Sequence, residues 1–258
     1  MSSPVMLPAG DWEPVDTGES DAKVFRRSDG AFYAKYAAAD GIDQLRDERD
    51  RIAWLGTTGI PGTDVVDFAE STDGAYLLTT AVPGVTGIDL PRNTHEKALH
   101  RLAAALRSLH ELNPADCPFT RPVTTVLDEA ADVVRRGAVN PQFLNDEWRR
   151  QRPEDLLDQL RAELPYAQLH APDDLVVCHG DPCLPNVFFD PDSLEVTGFI
   201  DLGRLGVADR YADLALTTAQ LSNEWGLDPA AFLSAYGLAD PDVRRLAFYL
   251  LLDPLTWG

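Results

Sequence analysis

The chain has 258 residues, 45% hydrophobic and 25% charged, with 22 Lys+Arg against 42 Asp+Glu and a formal net charge of −20. These values describe a soluble globular protein, one domain or two closely joined lobes, and no apolar run nears the ~20 residues that span a bilayer. The acidity is spread out, with 7 basic and 15 acidic side chains through residue 81 and 15 and 27 beyond, so the field repels nucleic acid and anionic membranes and attracts cations.

Met1-Ser2-Ser3-Pro4 lacks the basic and apolar regions of a signal peptide. Three cysteines, Cys117, Cys178 and Cys183, are too few and too odd in number for a disulfide framework, so a reducing, cytoplasmic setting is expected. Val15 to Arg27 and Ala31 to Tyr36 read as two strands joined at Ser28-Asp29-Gly30, with Phe32, Ala34 and Tyr36 on one face and Lys35 on the other. Asp43 to Leu55 reads as a helix stopped by Gly56 and Gly59-Ile60-Pro61, and Val65 to Phe68 and Ala75 to Thr80 as two further strands. Val82-Pro83-Gly84 marks a hinge, dividing the chain into residues 1–81 and 82–258.

Beyond the hinge the pattern is helical. Asn93 with Glu96 resembles a capping box opening a helix to about His110, with Leu99, Leu102, Leu106 and Leu109 as its core stripe. Further helices are expected at Thr125–Arg136, Pro153–Glu163, Tyr211–Asn223, Pro229–Tyr236 and Asp240–Leu252. Among them stands one β element, Leu175–Cys178 with Val187–Asp201. The fold class is therefore α+β, with a β-rich first third and a mainly helical remainder.

The segment Val177 to Asn186, followed by Ile200-Asp201-Leu202-Gly203, carries the chemistry. Between Asn186 and Asp201 the pattern is that of a hairpin, which returns both residues to its open end as two oxygen ligands for a hard cation such as Mg²⁺. Asp181, on the preceding loop, is a nearby carboxylate base. This is the H-x-D-x-x-x-x-N and D-x-G layout of kinase-type phosphoryl transfer. That template needs a strand lysine paired with a helix glutamate. Glu48 lies on the apolar stripe of Leu45, Ile52 and Leu55, where a carboxylate requires a cationic partner, and Lys35 is the lysine best placed to supply it. Gly18-Glu19-Ser20-Asp21-Ala22 falls where a phosphate-covering loop should be, but with a single glycine.

The segments Val177–Asn186, Asp201–Leu216 and Leu246–Gly258 resemble the aminoglycoside phosphotransferases, in particular those acting on streptomycin at the 3'' position. The resemblance implies a protein-kinase-like fold, ATP, Mg²⁺ and phosphorylation of an antibiotic hydroxyl, giving resistance. It makes residues 1–81 a nucleotide-binding lobe and 82–258 a catalytic and substrate-binding lobe. Asp181 would be the base, Asn186 and Asp201 the Mg²⁺ ligands, and Lys35, Glu48 and Ser20 the phosphate-side residues, with backbone groups near Thr80 and Val82 holding adenine. Gly180 replaces the arginine that follows the histidine in protein kinases.

From Asp201 to Asp213 there is too little chain for a peptide-binding activation segment, so a small acceptor is expected, and the overall acidity suits a cationic aminoglycoside. Asp213, Asp253 and Trp257 are candidate acceptor contacts, the tryptophan offering a flat face to a cation; the other readings are a tail packed on the lobe with Trp257 as a hydrophobic plug, and Asp213 as an anchor of the catalytic loop. Three alternatives stand beside this reading. One is a kinase for another cationic alcohol such as choline, and one a metal-dependent hydrolase using His179, Asp181 and Cys183. The third is a nucleotide-binding module without turnover.

Overall fold

The computed structural model describes residues 7–15 and 22–258. Backbone contacts divide the chain into two units, Met1–Asp89 with Pro185–Arg204 and Leu90–Leu184 with Leu205–Gly258.

The first unit is built on an antiparallel sheet of strands β1 (Trp12–Val15), β2 (Lys23–Arg27), β3 (Phe32–Ala38), β4 (Val65–Glu70) and β5 (Gly74–Thr80) in the order β1-β2-β3-β5-β4. Alternation sorts the sides of β3: Ala34 packs with Tyr76, Leu78, Phe32 and Tyr36 on one face, leaving Lys35 to the other. Helix α1 (Ile42–Leu55) buries Leu45, Glu48, Ile52 and Leu55 and packs against β3, β4, β5 and the turn at residues 202–204. Where one strand was expected over Val15–Arg27, there are two: Trp12 pairs with Arg27 and Val15 with Val24.

A second sheet joins β6 (Val85–Thr86), β8 (Val187–Phe189) and β9 (Val196–Phe199). The pairing of Val85 with Phe189 and Thr86 with Phe188 explains why residues 185–204 group with the first unit and not with 82–258. Gly84, at φ +110°, permits this approach, since a side chain there would run into the Phe189 carbonyl.

The second unit contains α2 (His95–His110), α3 (Val123–Arg136), α4 (Pro153–His170), β7 (Leu175–Cys178), β10 (Gly206–Asp209), α5 (Tyr211–Gln220), α6 (Pro229–Tyr236) and α7 (Val243–Leu252). Its core joins Leu127 and Ala130 of α3, Leu156 and Leu160 of α4, Tyr211 and Ala215 of α5 and Phe248 and Leu252 of α7. The α2 stripe of Leu99, Leu102, Leu106 and Leu109 is buried as expected. No side chain caps that helix: Arg92–Thr94 form a 3₁₀ turn and the Thr94 hydroxyl donates to the Pro91 carbonyl, so the Asn93–Glu96 capping box does not form. Helix α4 runs past Glu163 and Pro165 to His170, held by buried Leu160 and Ala167 on either side of the proline. The unexpected strand β10 pairs with β7, Gly206 opposite Cys178 and Asp209 opposite Leu175.

Candidate active site

In the first unit the register of β3 and the buried stripe of α1 bring two opposite charges together. Lys35 Nζ lies 2.6 Å from Glu48 Oε1 and 2.9 Å from Asp201 Oδ1. Burial pulls the Lys35 ammonium toward neutrality, but the two carboxylates outweigh it and hold its pKa above the ordinary lysine value. Burial raises Glu48, against the pull of Lys35.

Asp201 follows β9 at φ +60°, a left-handed conformation that aspartate tolerates better than most residues. The Ile200 amide donates to the Asn186 carbonyl at 3.0 Å, closing the β8–β9 hairpin so that Asn186 and Asp201 flank its open end. One lysine against two carboxylates leaves a net charge of −1. The Asp201 side chain is 45% exposed and Asn186 is half-buried. Hard oxygen donors, residual negative charge and access fit a Mg²⁺ ion.

Thr80 is tied into the sheet edge. Its N–H donates to Asp64 O, its carbonyl accepts the Thr63 hydroxyl at 2.6 Å, and its own hydroxyl accepts the Asp64 amide. The Ala81 amide donates to Ala31 O, while among the described residues the Val82 N–H has no partner. Ser20 lies outside the described residues.

In the second unit, β7 delivers the loop His179-Gly180-Asp181. Gly180 sits at φ +87°, which explains a glycine where protein kinases carry arginine. The loop is held by Asp213, whose Oδ2 accepts the His179 amide at 2.7 Å and whose Oδ1 accepts the Gly180 amide at 2.8 Å. The Asp181 amide donates to His179 Nδ1. Asp213 is 0% exposed, with His110 Nε2 a further 3.0 Å from Oδ2. The expectation that Asp213 contacts an acceptor is thereby corrected: it anchors the Asp181 loop from within the core.

Asp253 and Trp257 are half-buried and meet each other, the indole N–H lying 3.3 and 3.4 Å from the two carboxylate oxygens. The Trp257 ring also lies 5.9 Å from that of Phe143.

Two buried polar groups escaped the sequence reading. Behind Asp213, His110 is buried with its Nδ1 at 2.7 Å from the Tyr236 hydroxyl. The available signal was the one that drew attention to Glu48, a polar residue continuing an apolar helical stripe. In the second group, buried Arg245 joins Asp174, Asp209 and Asp242.

Among the described residues His179, Asp181 and Cys183, the set of the hydrolase alternative, do not form a group of converging ligand atoms, and the neighbouring buried thiol does not offer one. Cys178 is buried and donates to the Asp209 carbonyl, and burial, aided by the Asp213 and Asp209 charges, pushes its thiol pKa well up. Among the described residues His110, Cys178 and Asp213 form a potential ligand trio, but Asp213 already accepts two amide N–H groups, which would face any cation placed there.

The model of the phosphotransferase enzyme family matches residues 11–249. The chain is 49% identical to the streptomycin 3''-kinase of Streptomyces griseus, over 96% of this chain and 93% of that protein. It is 39% identical to an aminoglycoside 3'-phosphotransferase of Streptomyces fradiae, over 95% of each. Among solved structures, the aminoglycoside phosphotransferase APH(3'')-Id of Streptomyces rimosus, in complex with ADP and streptomycin, superposes with a TM-score of 0.89 at 46% identity, covering 96% of this chain and 93% of that one. Agreement of this extent covers residues of both units, and the chain accordingly belongs to the phosphotransferase enzyme family, as an aminoglycoside phosphotransferase of kinase-like fold.

Proposed function

We propose that the chain transfers the γ-phosphoryl group of ATP to the 3''-hydroxyl of streptomycin, conferring resistance in the cytoplasm. The observation that carries the phosphotransfer reading is the triad of Lys35, Glu48 and Asp201, a cation shared between a buried and a half-exposed carboxylate. The similarity to a streptomycin 3''-kinase supports the acceptor, as does a net charge of −20 that attracts a polycation.

Lys35, steadied by Glu48, orients the nucleotide phosphates, and of the backbone groups near Thr80 and Val82 the Val82 N–H serves the adenine. Asn186 and Asp201 hold Mg²⁺, which when bound neutralises charge on the transferring phosphates. Asp181 accepts the proton of the acceptor hydroxyl as its oxygen bonds to the γ-phosphorus and the bond to the β–γ bridging oxygen breaks, releasing ADP. In this reading the nucleotide residues belong to the first unit, and Asp181 with the acceptor contacts Asp253 and Trp257 to the second.

The test is an ADP-release assay with purified protein over a panel of aminoglycosides and amino alcohols, with the product's phosphorylated position read by NMR. Streptomycin-dependent turnover and a 3'' phosphate ester are expected; turnover with choline-like alcohols alone, or hydrolysis without nucleotide, would sink the proposal. Asp181→Asn should lower kcat while leaving the ATP KM nearly unchanged. Asp253→Asn should raise the streptomycin KM far more than the ATP KM, by about tenfold for one lost charged contact.

A further inference from the structure

Behind the Asp181 loop lies a buried hydrogen-bonded chain whose donors and acceptors follow from one another when the His110 ring is neutral. Each Asp213 oxygen accepts an amide, Oδ1 from Gly180 and Oδ2 from His179. A carboxylate already engaged as acceptor on both oxygens requires a donor from its third neighbour, so His110 Nε2, 3.0 Å away, carries a hydrogen. In the neutral ring Nδ1 is then an acceptor, and it lies 2.7 Å from the Tyr236 hydroxyl. Tyr236 has no other hydrogen bond among the described residues, so its one hydrogen points at Nδ1. Asp213, His110 and Tyr236 are 0, 6 and 5% exposed, which leaves little room for solvent to replace a missing partner.

We propose that Tyr236 is a positioning residue of the phosphotransfer reaction: by donating to Nδ1 it fixes His110 in the tautomer whose Nε2–H faces Asp213, and so keeps that carboxylate on the loop carrying Asp181. The inference rests on the reading of Asp181 as the base. Without the hydroxyl, Nδ1 is a buried acceptor lacking a donor. The competing tautomer turns a nitrogen lone pair toward the carboxylate, and Asp213 can then satisfy the two loop amides only at the cost of that repulsion. The effect belongs to the hydroxyl and not to the ring. Tyr236 meets His110 edge-on at 5.6 Å between centroids, a contact phenylalanine keeps, and the end of α6 is tied to α2 separately by Arg107 Nη2 donating to the Ala235 carbonyl.

The test compares Tyr236→Phe with the wild type. Nitrogen NMR of the His110 ring should show the Nε2–H tautomer in the wild type and a mixture in the variant, and the amides of His179 and Gly180 should exchange faster. Turnover should fall about tenfold, with the KM values for ATP and streptomycin changed less than about twofold, since positioning and not binding is lost. His110→Gln, assigned for reference, keeps an N–H donor but has no tautomers, so adding Tyr236→Phe to it should cost nothing further. An Nδ1–H ring in the wild type would overturn the proposal. So would unchanged kcat in folded Tyr236→Phe, or the same loss from Tyr236→Phe on the His110→Gln background. The ring and amide signals are read without turnover, so a fully active Asp181→Asn would remove the base reading through a separate measurement.

Discussion

Lys35 and Arg245 are both largely covered cations that meet more than one carboxylate, and the two units handle them differently. Lys35, a compact ammonium, is shared between Glu48, whose side chain is 9% exposed, and Asp201, whose side chain is 45% exposed. Arg245 engages all three nitrogens of its planar fork. Nη2 meets Asp174 at 2.5 Å, Nη1 meets Asp209 and the His170 carbonyl, Nε meets Asp242, and the guanidinium lies 3.9 Å from the centre of the Tyr211 ring. Asp209 in turn accepts the Tyr211 amide and the Tyr249 hydroxyl. No carboxylate partner of Arg245 is more than 21% exposed, whereas Lys35 keeps one partner, Asp201, 45% exposed, as the proposed contact with nucleotide and metal requires.

That contrast is broken most directly at Asp201. Asp201→Asn should lower turnover by roughly a thousandfold, the several kcal/mol a metal ligand supplies, while the unliganded melting temperature stays near wild type because Lys35 keeps Glu48. A large drop in melting temperature would make Asp201 part of the scaffold. Arg245→Met should do the reverse. It leaves Asp209 buried without its cation and should cost about 3–5 kcal/mol of stability by denaturant unfolding, with part recovered by adding Asp209→Asn. An unchanged unfolding midpoint would show that the network is not structural.

Between these extremes, Lys35→Met should affect both properties. Losing the partner of a buried carboxylate costs about 1–3 kcal/mol, and Glu48→Gln in the same chain should return some of it. Strict additivity in that cycle would mean that the pair does not couple. The smallest effect is expected at Asp242, which caps α7 by accepting the Arg244 and Arg245 amides. Burial pushes its carboxyl up, but those amides, the Tyr166 hydroxyl and Arg245 bring it below the ordinary value of 3.8. A lowered folded-state pKa contributes stability above the ordinary value that is lost as pH falls through the lowered one. Asp242→Ala should therefore cost about 1 kcal/mol near neutrality, and its gap from wild type should shrink below about pH 4. A gap that widens in acid would reverse the assignment.

The legible parts of the sequence were those where composition and spacing pointed the same way. Glu48 stood out as a carboxylate on an apolar stripe, and the hairpin between Asn186 and Asp201 announced itself by short apolar, β-branched and aromatic runs on either side of Asp190-Pro191-Asp192-Ser193. Asp213 was legible as important but open in role between acceptor contact and loop anchor, because an acidic residue in the first turn of a helix looks the same in sequence whether it faces solvent or the amides of a distant loop. Strands β1 (Trp-Glu-Pro-Val) and β10 (Gly-Val-Ala-Asp) lack the apolar run that marked the equally short β7, and exist because β2 and β7 offer partners. Asn93 and Glu96 matched a capping pattern that the 3₁₀ turn at Arg92–Thr94 pre-empts.

The β8–β9 hairpin also constrains how the chain can be made and cut. Val85 and Thr86 pair with residues that leave the ribosome roughly a hundred positions later, so the second sheet of the first unit forms only after most of the second unit's sequence has been synthesised. The chain passes between the units after Asp89, after Leu184 and after Arg204. A fragment ending at Asp89 would carry Lys35 and Glu48 without Asp201, and one beginning at Leu90 would carry a hairpin without its β6 partner. With three crossings, separating the units takes three cuts, after which each unit is two segments that must be rejoined to give an intact half.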